Sequence, residues 1–155
     1  MGTRASCLFL LLAGLGCGFH DEPLVPLYPG DRLGPGQVAT LGGYVAWVDG
    51  RDVSALGGAF ELLPGCHVVT TPTHWGSMYG QGGRSASTGA VTFAVPMQPG
   101  YHYLVVSTAE GTSGPTFHTR TRVDETDPAG NPVRTLERVK TAPELTACRR
   151  AQAGP

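Results

Sequence analysis

VAWVDGRDVSALGGAFELLPGCHVVTT, residues 45–71, decides the fold. A short apolar run ends at Asp49-Gly50, which reads as a turn followed by an irregular link. Phe60–Leu63 reads as the next strand. Pro64-Gly65 then fits the two central positions of a type II turn, where Pro sets φ and Gly takes φ > 0. Cys66–Thr71 follows as a strand, with His67, Val69 and Thr71 on one face and Cys66, Val68 and Thr70 on the other. Short strand, turn, link, short strand, turn, short strand is β architecture.

The pattern continues outward. Val38–Leu41 and Tyr44–Val48 read as strands, the second with Val45 and Trp47 on one face. Residues 90–97 alternate, placing Val91, Phe93, Val95 and Met97 together. Residues 101–107 are apolar on both faces, which predicts a central, covered strand. Phe117–Val123 alternates again, with His118, Arg120 and Arg122 facing solvent. Asp127-Pro128-Ala129-Gly130-Asn131 reads as a turn, so 116–140 predicts a hairpin. Pro64-Gly65-Cys66-His67-Val68 is echoed by Pro99-Gly100-Tyr101-His102-Tyr103, which suggests one hairpin device used twice. Gly (23) and Pro (13) are abundant enough to break long helices. About seven short strands predict an all-β fold, a single antiparallel β-sandwich of immunoglobulin-like type over residues 37–141. The tail, 142–155, opens with Pro143-Glu144, which suits a short helical turn.

The first residues read as an address. Arg4 precedes the apolar run ASCLFLLLAGLG, which ends in small residues and Cys17, the layout of a signal peptide over residues 1–16. The leader resembles a bacterial lipoprotein lipobox, with Gly16 as the small residue before the cysteine. Gly14 stands where that family usually has Leu, three places before it. The resemblance implies lipidation (palmitate) at Cys17 and a membrane anchor in the bacterial envelope, outer membrane favoured since Gly18 follows the cysteine. Residues 17–36, rich in Pro and Gly, then read as a flexible tether. The absence of Ile and the single Asn and Lys (Asn131, Lys140) fit a GC-rich genome.

The segment Val45–Val69 is similar to a PEGA-type module and to small bacterial lipoproteins in which a strand ends at Asp-Gly and a later one follows Pro-Gly-x-His. The matching residues are Asp49, Gly50, Leu63, Pro64, Gly65, His67 and Val69. The resemblance implies a surface-associated β module and carries over no catalytic residue.

Charge excludes one class of partner. The chain has 11 Lys+Arg against 12 Asp+Glu and no basic patch, so it is not expected to bind nucleic acid. No G-x-S-x-G elbow, HExxH or Cys-x-x-Cys is present, and the glycines at 76, 80, 82 and 83 lack Gly-Lys-Ser/Thr. The chain therefore reads as a non-enzyme with no cofactor and a binding or structural role, its partners the membrane and another envelope protein. With Cys7 in the leader and Cys17 lipidated, Cys66 and Cys148 remain as an expected disulfide. Residues 72–89 read as a long Gly/Ser/Thr-rich loop displaying Trp75, Met78 and Tyr79 as a binding loop. An alternative is a metal site built from His67, His74 and His102. Against it, a His just after a turn more often bonds a backbone carbonyl. Asp124, Glu125 and Asp127 read as a solvated hairpin end rather than a Ca²⁺ site.

Overall fold

The computed structural model describes residues 23–77, 85–111, 116–137 and 142–153. The order is β1 (Val25–Pro26), β2 (Ala39–Gly43), β3 (Trp47–Val48), β4 (Arg51–Asp52), β5 (Ala59–Leu62), β6 (Gly65–Ser77), β7 (Ser85–Met97), β8 (His102–Gly111), β9 (Thr116–Thr126), β10 (Pro132–Leu136) and α1 (Ala142–Ala153). The fold is all-β with one terminal helix. Ten strands, not seven, occur among the described residues. No helix among them is long and apolar enough to cross a membrane.

The strands form two wings. One runs β1-β5-β2-β8-β9-β10 and the other β7-β6-β3-β4. They join where Trp75–Ser77 of β6 pair with Thr116–His118 of β9. A single apolar cluster draws on both: Leu41, Phe60, Leu62, Tyr103 and Val123 from the first, Val48, Val69, Phe93 and Val95 from the second. The expected alternation holds, since Phe93 and Val95 are fully buried and Met97 nearly so. Thr71 and Val69 are likewise buried on the inner face of β6.

Several expectations need correction. The pairing is not wholly antiparallel, because β1 runs parallel to β5 and β2 parallel to β8. Both Pro-Gly pairs are corners rather than hairpins. β5 pairs with β1 and β2 while β6 pairs with β7, β3 and β9, so the chain at Pro64-Gly65 changes wing. Pro99-Gly100 does the same between β7 and β8. The two corners also differ. Gly100 has φ 79° and Tyr101 N–H reaches the Gln98 carbonyl at 3.3 Å, as a type II turn requires. Gly65 has φ 149°, too extended for that turn.

Residues 72–89 do not form one long loop. β6 continues to Ser77 and β7 starts at Ser85, paired from Gly65↔Met97 out to Gly76↔Ser85 with a register shift at Thr73/His74. β8 runs beyond the expected 101–107, to Gly111. β8 is central, between β2 and β9, yet only one of its faces is covered: Tyr103 and Val105 are buried and Leu104 is 39% exposed. Val45 and Trp47 do not share a face. Val45 and Ala46 are both buried and Trp47 is exposed, because regular strand stops at Gly43 and resumes at Trp47. Gly43 (φ 94°) permits that break, and a Cβ there would lie 2.2 Å from the Val105 carbonyl oxygen.

The hairpin at 116–140 is present as β9 and β10. Its turn is held by Asp127, whose Oδ1 accepts the Ala129 and Asn131 N–H groups at 2.9 and 2.8 Å. The proline-rich N-terminal stretch packs on β5. Val25 and Leu27 reach the core, and Arg32 and Tyr28 hold the buried Glu61 carboxylate, with Arg32 Nη2 at 2.8 Å from Oε1.

Candidate functional site

The residues that open the sequence argument meet at one corner. Asp49 and Gly50 join β3 to β4 with φ of 52° and 81°, the two positive angles of a type I′ turn. Val48 pairs with Val69, so this turn lies beside the start of β6. Asp49 N–H donates to the Val68 carbonyl at 2.8 Å, and Val68 N–H returns to Asp49 Oδ1 at 2.7 Å. The second carboxylate oxygen, Oδ2, lies 2.7 Å from His67 Nδ1. His67 Nε2 lies 2.7 Å from the Leu63 carbonyl oxygen. One histidine and one aspartate thus tie three segments together: the β3–β4 turn, the β5–β6 corner and the first residues of β6.

Both partners of the ring are acceptors. A carboxylate and a carbonyl have no hydrogen to give, so both contacts are hydrogen bonds at once only when the ring is imidazolium. Burial works against this charge and is the largest single influence on His67. The hydrogen bond to Asp49, the Leu63 carbonyl and the Asp49 charge together outweigh it and raise the pKa above its ordinary 6.5. The side chain of His67 is 13% exposed and that of Asp49 31%.

Beside this pair lies the expected disulfide. Cys66 and Cys148 are joined, with Cα atoms 5.2 Å apart, which fixes α1 against the start of β6. A shallow recess is lined by Asp49, Pro64, Gly65, Cys66, His67 and Ala151. The expected carbonyl bond of His67 is therefore present. Sequence reasoning missed the Asp49 partner, although Asp49, Leu63 and His67 all belong to the residues that carry the PEGA-like resemblance.

The arrangement fastens more than it reacts. A general base needs a free nitrogen facing its substrate, and Nε2, the nitrogen opposite the aspartate contact, is taken by Leu63. Of the histidines of the metal alternative, His67 and His102 lie on strands of different wings. His67 has both nitrogens engaged on β6, and His102 lies on β8 in the other wing with Nδ1 2.5 Å from Thr40 Oγ1. His74 lies on β6. Among the described residues no three His, Cys, Asp or Glu side chains gather as metal ligands.

The acidic residues of the β9–β10 hairpin are each engaged. Asp124 meets Arg122 and Thr135, Glu125 meets Arg134 and Tyr103, and Asp127 closes its turn. Tyr103 OH accepts the Gln98 N–H at 2.9 Å and lies 3.3 Å from Glu125 Oε1. Burial, with the Glu125 carboxylate adding to it, pushes the Tyr103 pKa up to about 12. Of the binding-loop residues, Trp75 lies on β6 opposite Ala86. Met78, Tyr79 and the lipidation residue Cys17 lie outside the described residues.

No family model, curated protein or solved structure matches the chain. The lipobox and PEGA-type resemblances therefore rest on the residues quoted for them.

Proposed function

We propose that this chain is an exported, lipid-anchored module of the bacterial envelope, with a binding or structural role rather than a catalytic one. The single observation that carries the non-catalytic reading is the use to which its polar clusters are put. His67 spends both nitrogens, and Asp49 both oxygens, on holding chain segments in register. Glu61 and Glu125 are likewise taken up by Arg32 and Arg134. These groups do the work of a scaffold. In this reading the two wings face one another across their common cluster as an immunoglobulin-like β-sandwich.

The signal-like leader supports export, and the Cys66–Cys148 disulfide fits it, since such bonds persist in oxidising compartments. Cys17 carries the lipid, and partners are the membrane and a second envelope protein. The binding element is the segment that carries Trp75, Met78 and Tyr79 as its large side chains. The test is a pull-down from envelope extract with the full chain and with the Trp75→Ala/Tyr79→Ala variant. Loss of captured partners in the variant is expected, and an unchanged set removes this segment from the interface. Incorporation of labelled palmitate that survives Cys17→Ser would refute the anchor.

A further inference from the structure

We infer that His67 is a proton-controlled latch on the corner Leu63–Gly65, closed when the ring is imidazolium and released when it is neutral. The inference rests on the two acceptors at 2.7 Å from one ring. A neutral imidazole carries one N–H and can satisfy only one of them. The carboxylate is the stronger acceptor, so the hydrogen stays on Nδ1 toward Asp49. The lone pair of Nε2 then faces the lone pairs of the Leu63 oxygen, and what held the corner becomes a repulsion. Leu63 and Pro64 belong to neither strand and residues 63–65 are exposed, so the corner is the part that yields. Its movement widens the recess beside Cys66 and Ala151.

The charges around the ring are few. The β3–β4 turn contributes Asp49, whose carboxylate is the charge acting on it. Arg51 and Asp52 follow on β4, and Asp52 is taken up by Ser54. The corner itself carries no charged side chain, and β7, whose Val95 pairs with His67, has none along its length. α1 borders the recess through Ala151 and carries Glu144, Arg149 and Arg150, none of which is among the groups shifting His67. The latch therefore depends on Asp49. Without that carboxylate, burial is the dominant influence and the sign of the shift reverses.

Imidazole nitrogen NMR on the full chain tests this, following His67 and the Gly65 and Cys66 amides across pH. In the wild type His67 should titrate above 6.5, with both nitrogens protonated below that point, and the two amides should move along the same curve. In Asp49→Asn it should titrate below 6.5. A wild-type His67 that titrates at or below 6.5, or corner amides that ignore its titration, overturns the latch. If the Asn variant does not fold, the wild-type titration decides alone.

Discussion

Replacing both bridging cysteines, Cys66→Ser with Cys148→Ser, should undo the tail before it undoes the sheet. The bond closes a span of 82 residues. In the chain-entropy picture a loop of that length stabilises the fold by at most about 4.5 kcal/mol. The helix it holds rests on β6 and β7 with little of its surface buried. Cys148 is the one residue of α1 between Pro143 and Ala151 that is buried, with Leu145 half-buried and the rest exposed. A twelve-residue helix is marginal in water without tertiary contacts. Once the bond is gone, α1 should therefore separate and melt. Because the sheet ladders do not run through it, the global loss should fall short of the full value, at about 2–4 kcal/mol. For a chain of this size that lowers Tm by roughly 5–15 °C. Urea unfolding gives the free energy, and limited proteolysis with mass spectrometry gives the order of events. The variant should lose residues beyond about 137 to protease while the core stays protected. A midpoint within 1 kcal/mol of wild type, together with a protease-resistant tail, would refute the reasoning.

Other outcomes follow from single positions. Gly43→Ala places a Cβ on the Val105 carbonyl and imposes a positive φ on a residue that disfavours it. It should cost at least about 2 kcal/mol in chemical denaturation. Tyr103 should ionise near pH 12, as read by tyrosinate absorbance. Its folded pKa lies above the unfolded value, so the stability it contributes is complete below about pH 10 and drains away between about 10 and 12. Glu125→Gln should move its ionisation to lower pH by removing the neighbouring charge.

Local chemistry was readable and long-range pairing was not. Asp49-Gly50 names its own turn, because both residues accept the left-handed backbone that the hairpin needs. The alternation of Val91, Phe93, Val95 and Met97 gave the buried face of β7. The cysteine pairing emerged by elimination. The His67 carbonyl bond was legible because its partner is four residues away, but Asp49 is 18 away and meets the ring only through the register of β3 on β6. Residues 72–89 misled because Gly, Ser and Thr read as loop, whereas a long hairpin is set by its ladder and tolerates small residues along its arms. The two corners misled because Pro-Gly specifies a change of direction and says nothing about which strand comes next.

The parallel match of β2 with β8 sets the order in which this chain can assemble. Thr40 meets His102 across 62 residues. Leu41, on β2, is fully buried between β5 and β8, so its hydrophobic partners on one side do not exist until the chain has passed the second corner. β6–β7 and β8–β9 are contiguous in sequence and can zip locally, but the N-terminal strands must wait for them. Contacts of such long span carry a large closure entropy before any reward, which slows folding. The local pairs β6–β7 and β8–β9 carry a smaller closure cost than β2–β8, so the first strands of the chain are expected to dock after them.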